Sequence, residues 1–271
     1  TLRHTLFPYT TLFRSSAVAI IRPSADQDAQ DDVTLLPVPK EVNSLRLSPD
    51  GRHLLAYIDP DKPLDSDNGT ASLQTLALIR LGETAEDDEV YQLSVTRLIT
   101  DIEFTDDGSE AFVVGSEGIN RIELSAISGD TFVGPLPLEL STDAFPPRDQ
   151  EVEVAGDGSY LVARSSAFAG VALYRPARDG DEDATRTIEL DAIPTDIDLF
   201  TRSDGSPALI TTLRDDGKIA VLDVDAALAD EPIEDVVEVT DVEAVEPGLS
   251  QLTPDQSRVL LYTSLSQRPS L

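Results

Sequence analysis

Two kinds of apolar segment alternate along the chain. In the first kind every second residue is apolar, as at Leu45 and Leu47 on either side of Arg46. The second kind is apolar at nearly every position, as in LLAYI at 54–58. A period of two predicts β-strands, and a strand that is apolar on both faces must be covered on both faces. No stretch carries the period of 3.6 residues that a helical repeat needs, so the pattern predicts an all-β fold.

The two kinds of segment recur together five times, joined each time by a short polar turn. The five segments are LRLSPDGRHLLAY (45–57), IEFTDDGSEAFVV (102–114), VEVAGDGSYLVAR (152–164), IDLFTRSDGSPALIT (197–211) and SQLTPDQSRVLLY (250–262). Their turns carry Gly51, Gly108, Gly158 and Gly205, with Gln256 in the fifth unit, so successive turns lie 57, 50, 47 and 51 residues apart. Glycine accepts the positive φ that closes a tight hairpin. A near-constant period of this size is typical of stacked supersecondary units.

Each unit continues with two further strands. The third strand is predicted at 73–81, 119–124, 171–175 and 218–224, and a weaker, more polar fourth near 90–95, 132–140, 185–190 and 236–240. Four antiparallel strands per unit, with inner strands that are apolar on both faces, predict blades packed face to face around an axis. A β-sandwich would instead leave one face of each strand in contact with water.

The predicted domain is an incomplete β-propeller over residues 16–271. Its complete repeats span about 41–96, 97–147, 148–191 and 192–245, with half-units at 16–40 and 246–271. The fold class is therefore a β-propeller fragment of four complete four-stranded blades plus two half-blades. The half-units are of complementary type and could close a five-bladed ring, but we favour an excerpt of a larger ring that is open at the seam.

The SPDGR–L–Y run at 48–57 resembles the repeats of bacterial β-propellers of the YVTN, TolB-like and WD40-like groups. The chain has no tryptophan, so the WD dipeptide is absent, and no full YVTN tetrad occurs. We therefore assign no subfamily. The resemblance covers 16–271, and it implies a propeller that is exported to the periplasm or cell surface and binds through its loops.

The segment TLFPYTTLFRS at 5–15 fits neither a strand nor a helix period. Its back-translation resembles a DNA sequencing adapter along all of its length. We therefore predict that residues 1–15 are non-native and disordered, and we leave them out of the fold.

The charge of the chain narrows the classes of partner. There are 51 acidic and 20 basic residues, and the formal net charge is −31. Such a surface repels nucleic-acid phosphates and anionic membranes, so neither is an expected partner. No apolar run reaches the length of a membrane span. The absence of cysteine excludes disulfides, thiolate zinc sites and a cysteine nucleophile from this chain.

One acidic loop carries a candidate calcium site. The segment RDGDEDATR at 178–186 places Asp179, Asp181 and Asp183 at alternate positions, as calcium loops do. The loop lacks the glycine that such loops need, and an exposed acidic hairpin tip is the simpler interpretation. No other cofactor is expected. The long loop at 59–70, in which Asp65, Asp67 and Asn68 precede Gly69, is an insertion between second and third strands. It is a candidate binding loop, because loops on one rim of a repeat fold often bind partners, but a solvated surface loop is the simpler interpretation.

A second candidate site follows from the repeat itself. Polar residues occupy the same place on each first strand, five residues before the turn. They are Arg46, Glu103, Glu153 and Gln251, with Asp198 equivalent after a two-residue insertion. Glu103, Glu153 and Asp198 could form an acidic axial funnel that holds a cation. We favour hydrogen bonding between blades, because buried polar groups usually satisfy one another. His53 has no histidine neighbour and is not expected to be catalytic.

The function predicted from the sequence is a non-catalytic binding scaffold, with a protein or a small ligand as its unidentified partner. One alternative is a propeller hydrolase, similar to a lactonase, with a metal in the axial funnel. A calcium-stabilised surface protein is a third possibility. The position of Glu103, Glu153 and Asp198 distinguishes the first two: carboxylates that converge within reach of one bridging metal favour the enzyme, and side chains that point between blades favour the scaffold.

Overall fold

Short antiparallel β-sheets follow one another along the chain in the computed structural model. It describes residues 17–23, 31–39, 42–60, 62, 75–138, 140, 149–177, 182–242 and 246–264. The segment 1–15, the aspartates Asp179 and Asp181, and most of the loop at 59–70 lie outside the described residues.

The described strands, in chain order, are β1 (Ala17–Arg22), β2 (Asp32–Pro37), β3 (Ser44–Leu47), β4 (His53–Tyr57), β5 (Thr75–Arg80), β6 (Glu89–Ser94), β7 (Asp101–Phe104), β8 (Glu110–Gly115), β9 (Gly118–Glu123), β10 (Thr131–Phe132), β11 (Glu151–Val154), β12 (Leu161–Arg164), β13 (Gly170–Arg175), β14 (Ala184–Glu189), β15 (Asp196–Thr201), β16 (Pro207–Leu213), β17 (Lys218–Asp223), β18 (Val237–Asp241), β19 (Glu246–Leu252) and β20 (Val259–Ser264). Two short helices follow β17, α1 (Val224–Leu228) and α2 (Ile233–Val236). Single 3-10 turns lie at Ala85–Asp87, Leu124–Ala126 and Arg214–Asp216.

The sheets follow the predicted repeat. Strands β3 to β6, β11 to β14 and β15 to β18 form sheets in chain order, and β7 to β9 form a three-stranded one. Leu54, Val113, Leu161 and Ile210 all lie on the second strand of their sheet, as the repeat predicts. The predicted all-β, propeller-like fold is confirmed.

The turn between first and second strands is shaped by glycine and aspartate. Gly51 and Gly108 have φ of 71° and 68°, which L-residues with a Cβ rarely adopt. In the first of these turns, Asp50 Oδ1 accepts hydrogen bonds from the Ser48 hydroxyl at 2.5 Å and the Arg52 amide at 3.0 Å. These bonds hold the side chain of the turn aspartate in place.

The sheets pack face to face, which explains the continuous apolar strands. On β4, Leu55 packs on the following sheet together with Val113, and Ala56 packs on the preceding β1–β2 hairpin together with Val18. Further along the chain, Phe112 on β8 contacts the cluster around Tyr174 on β13. Each fully buried Leu, Val, Ile or Phe side chain contributes about 1.5–3 kcal/mol through burial. A single sheet would leave half of this surface in water.

The second repeat departs from the prediction of four complete four-stranded blades. The fourth strand expected at 132–140 is replaced by the two-residue β10, which pairs in parallel with β6 of the preceding sheet. Pro135 and Pro137 have no amide hydrogen to donate to a ladder. Leu136, between them, donates its amide to the carbonyl of Ile119 on β9 at 2.7 Å. The segment thus runs beside β9 without forming a regular strand.

The first strands of successive repeats lie side by side. Strand β15 contacts β11 on one side and β19 on the other, and β11 also contacts β7. These are the innermost strands of a propeller-like arrangement, since only the strands at the axis can meet their counterparts in neighbouring sheets. Polar side chains on them are therefore brought together. No helix of the described residues is long and apolar enough to cross a membrane.

Candidate functional site

Carboxylates occupy two levels on three adjacent inner strands. One level comprises the first residue of each strand, Asp101 of β7, Glu151 of β11 and Asp196 of β15. The other level lies two residues further along each strand and comprises Glu103, Glu153 and Asp198. Residues i and i+2 of a strand share a face, so both levels project to the same side of their strands. We call these six residues the axial carboxylates.

Glu153 is the most strongly perturbed member of the axial carboxylates. Burial raises the pKa of Glu153 to about 7, and the negative charges of Asp198, Glu151, Glu103 and Asp196 add to the effect. Both causes disfavour the ionised form, since a carboxylate loses hydration when buried and is repelled by like charges. The charges act on Glu153 because β11 lies beside β7 and β15, which carry the other carboxylates. Among the described residues, no hydrogen bond or ion pair holds the Glu153 side chain.

The neighbours of Glu153 are perturbed in the same direction, but each has a partner. Burial raises the pKa of Glu103, with a further contribution from Asp101. Burial also raises the pKa of Glu151, and the ion pair with Arg164 opposes this effect. The pKa of Asp198 is raised by burial and lowered by a hydrogen bond from Ser250. Glu153 is thus the carboxyl group best able to exchange a proton near neutral pH.

Hydrogen bonds between repeats are present at this site, as the sequence predicts. Three of the six axial carboxylates accept them: Asp101, Asp196 and Asp198. Ser250 on β19 donates through its hydroxyl to Asp196 at 2.9 Å and also to Asp198. Arg46 on β3 donates to Asp101 on β7 at 2.9 Å, and both side chains are about half exposed. These bonds hold neighbouring inner strands together and leave Glu153 between them.

A metal ion can bind here only if several side chains with suitable donor atoms lie close together. Among the described residues, no three histidine or acidic side chains come close enough together to hold a metal ion. The axial metal of the hydrolase alternative therefore does not fit the described residues.

Of the predicted calcium site in the loop at 178–186, the structure describes Asp183. Its Oδ1 accepts a hydrogen bond from the Ala177 amide at 2.6 Å. Asp179 and Asp181 lie outside the described residues, so the calcium site stays a prediction.

His53 is remote from the axial carboxylates. It is buried on β4, next to the hairpin turn, and its Nδ1 lies 4.0 Å from Asp50 Oδ1. Burial lowers its pKa, and the charges that act on it belong to Asp50, Arg80 and Arg52. None of these groups belongs to the axial carboxylates, so His53 does not assist them.

The repeat alignment found three of the six axial carboxylates and missed the other three. Asp101, Glu151 and Asp196 lie two residues before the predicted Glu103, Glu153 and Asp198. The same alternation of polar and apolar residues, read one step further toward the start of each strand, would have identified them. Their role as neighbours that perturb Glu153 depends on distances between strands.

Comparison with known proteins finds similarity to solved structures. No protein-family model matches the sequence, and no curated protein matches it significantly. Among solved structures, the chain resembles the periplasmic gluconolactonase PpgL of Pseudomonas aeruginosa, with 16% identity, a TM-score of 0.49, and coverage of 93% of this chain and 73% of that one.

Two further solved structures come from Bacteroides. A protein of Bacteroides uniformis assigned as a 6-phosphogluconolactonase has 15% identity and a TM-score of 0.45, over 86% of this chain and 59% of that one. An auxiliary nutrient binding protein of Bacteroides ovatus has 9% identity and a TM-score of 0.46, over 84% and 58%. The chain thus spans less than two thirds of these two proteins. At such identities the likeness concerns the fold.

The prediction of a non-catalytic scaffold is corrected by these findings. The finding that overturns it is that two of the three similar structures are lactonases by name. The positions of Glu103, Glu153 and Asp198 do not decide between the two, since no three acidic or histidine side chains of the described residues come close enough together to hold a metal ion. The finer assignment to the YVTN or WD40 groups has no support from a family model.

Proposed function

We propose that the chain is a hydrolase of cyclic esters, with Glu153 as its general acid–base residue. The observation that carries the proposal is the pKa of Glu153, raised to about 7 by burial and by the surrounding carboxylates. General acid–base catalysis is most effective when the catalytic group titrates near the working pH. Perturbed carboxyl groups in clefts are frequent at catalytic sites.

The reaction uses Glu153 in both of its protonation states. The Glu153 carboxylate takes a proton from a water molecule, whose oxygen attacks the carbonyl carbon of the ester. The tetrahedral intermediate then breaks its ring C–O bond, and Glu153 returns the proton to the leaving oxygen. The product is an open-chain hydroxy acid.

The charge of the site indicates which substrate to test first. A neutral sugar lactone, of the kind that a gluconolactonase takes, is not repelled by the axial carboxylates. A phosphorylated lactone carries negative charge and is repelled. The acid that forms ionises at neutral pH, so the same repulsion favours its release.

The test compares Glu153→Gln with Glu238→Gln, an exposed position on β18. Hydrolysis of gluconolactone is followed with a pH indicator and corrected for the spontaneous rate. We expect Glu153→Gln to lower kcat/KM about 100- to 10,000-fold, the usual contribution of a general acid–base group. Glu238→Gln should retain the wild-type rate. A Glu153→Gln variant that hydrolyses the lactone as fast as the wild type refutes the role of this residue.

We further propose that the protein acts in the periplasm or at the cell surface. The proposal rests on the resemblance of its repeats to those of exported bacterial propellers, and one structure of similar fold is named as periplasmic. Fusion of the complete gene to a reporter that is active only outside the cytoplasm tests this location. An inactive reporter in intact cells, with the fusion protein present, contradicts it.

A further inference from the structure

His53 is buried where the first complete sheet packs on the second. It is the first residue of β4 and is 7% exposed. Its side chain lies on the same face of β4 as Leu55, which packs on the second sheet together with Val113. The His53 amide donates to the Ser48 hydroxyl at 2.9 Å, and its carbonyl accepts from the Ser48 amide at 2.8 Å. The backbone of His53 therefore cannot move away without breaking the first hairpin turn.

The ring of His53 lies beside the place where the hairpin turns of these two sheets meet. We call this place, formed by residues 48–52 and 105–109, the turn contact. Asp50 and Gly108 approach each other closely there, since a Cβ on Gly108 would lie 2.6 Å from Asp50 Oδ1. The same oxygen lies 4.0 Å from His53 Nδ1, and the backbone of Gly108 also acts on the ring. A change in the charge of His53 therefore acts on both turns.

The Nδ1 atom of His53 is buried and has no hydrogen-bond partner among the described residues. The equivalent positions of the next two repeats carry polar side chains that do have partners. Glu110 pairs with Arg121 at 2.6 Å, and Tyr160 donates its hydroxyl to Asp225 at 2.7 Å. Buried polar atoms without a partner are rare in folded proteins, and they store strain. His53 is thus the position of this set whose polar atom is not satisfied by the fold.

Protonation makes both ring nitrogens of His53 donors and gives the ring a positive charge. The carboxylate that faces Nδ1 belongs to Asp50, and at 4.0 Å it is beyond hydrogen-bond reach. Its Oδ1 already accepts bonds from Ser48 and Arg52. The other charged groups that act on the ring are Arg52 and, directly opposite His53 on β5, Arg80. Both repel a positive charge, so the protonated ring is poorly accommodated while the turn contact is closed.

We propose that His53 is a pH-sensitive switch, and that its protonation opens the turn contact between the first two sheets. Burial lowers the pKa of His53, in agreement with a closed state that favours the neutral ring. In the open state the ring regains water and its ordinary pKa of 6.5. The closed contact therefore has its full stability above pH 6.5 and loses it as the pH falls from 6.5 through the lower pKa of the closed state. The switch does not depend on the catalytic function.

The first test is an NMR titration of the full chain between pH 8 and pH 5. The chain has two histidines, His4 and His53, so a His4→Gln variant assigns the imidazole signals. We expect the His53 ring to titrate below pH 6.5, and the amides of Gly51 and Gly108 to shift with the same midpoint. This component of the amide shifts should be absent from His53→Gln. A His53 ring that titrates at or above pH 6.5 in the wild type overturns the proposal without any variant of this residue.

Hydrogen exchange, corrected for the intrinsic rate at each pH, measures the opening itself. Below pH 6.5 we expect the opening equilibrium at 48–52 and 105–109 to rise, by up to tenfold for each unit by which the closed state lowers the pKa of His53. The internal control is the next pair of turns, where Asp106 donates its amide to the Gly156 carbonyl at 2.7 Å and no histidine is present. Exchange at 155–159 should not show this rise. The proposal is also overturned if His53→Gln and the wild type respond to pH alike at the turn contact.

Discussion

Glu153 illustrates how one residue acquires its chemistry from its neighbours. An isolated glutamate is fully ionised at neutral pH, whereas this one lies half-buried among other carboxylates of the inner strands. Folding brings these charges together at the expense of stability. A protein retains such an arrangement when the perturbed group has a function. The raised pKa of Glu153 also has an effect on stability that does not depend on the identity of the substrate.

We predict that Glu153→Gln stabilises the protein at pH 8 and has little effect at pH 5. Burial raises the folded-state pKa of Glu153 to about 7, above the ordinary value of 4.5 that it has in the unfolded chain. The folded state thus favours the protonated form, and the contribution of Glu153 to stability is lost as the pH rises from 4.5 through 7. Glutamine imitates the neutral form at every pH. Thermal unfolding followed by circular dichroism at the two pH values measures the difference.

The control for this experiment is Glu238→Gln, whose side chain is exposed on β18. It should change the melting temperature by similar small amounts at both pH values. A stabilisation by Glu153→Gln that is equally large at pH 5 and pH 8 would contradict the proposed origin of the pKa shift.

At the scale of elements, the hairpin turns also connect neighbouring sheets. A Cβ on Gly108 would lie 2.6 Å from Oδ1 of Asp50, in the turn of the preceding repeat. Asp50 cannot easily move away, since Ser48 and Arg52 hold its carboxylate. The turn glycine therefore serves two purposes here: it supplies the positive φ and it leaves space for the preceding turn.

Gly51→Ala and Gly108→Ala separate these two effects. Both glycines have a φ near +70°, so each alanine variant should lose about 1–2 kcal/mol through backbone strain. A Cβ on Gly51 meets nothing within 4 Å. Gly108→Ala should therefore lose roughly 1 kcal/mol more, through overpacking between the turns. Urea denaturation of both variants measures the difference, and equal losses would show that the contact between turns contributes nothing.

Much of the fold was predictable at the scale of elements, because it depends on local patterns. The alternation at Leu45 and Leu47 and the turn at Gly51 identify a hairpin without any tertiary information. The fourth strand of the second repeat was predicted wrongly. Its sequence is apolar enough for a strand, but Pro135 and Pro137 remove two amide donors. The position of this segment depends instead on two neighbouring strands. Phe132 pairs with β6, and Leu136 donates a hydrogen bond to β9.

At the scale of the whole molecule, the excess of negative charge opposes the compact state. With a formal net charge of −31, folding concentrates mutually repelling groups that the unfolded chain keeps further apart. We predict that raising NaCl from 20 to 500 mM increases the melting temperature by about 4–8 °C, equivalent to roughly 2 kcal/mol for a chain of this size. Salt at these concentrations acts mainly by screening.

Differential scanning fluorimetry across the salt series measures this effect. A neutral osmolyte at matched osmotic strength is the control, since it does not screen charge. A melting temperature that is constant or decreases across the salt series would contradict the prediction.

The sequence by itself determined the elements, their order and their repetition. The reason is that hydrophobic period and turn chemistry are properties of neighbouring residues, as at Asp50 and Gly51. The repeat also placed Glu103, Glu153 and Asp198 at equivalent positions. Only the tertiary structure decided that the strands with these carboxylates lie side by side and that burial raises the pKa of Glu153 to about 7. Desolvation and Coulomb repulsion depend on distances between strands that lie some fifty residues apart in the chain.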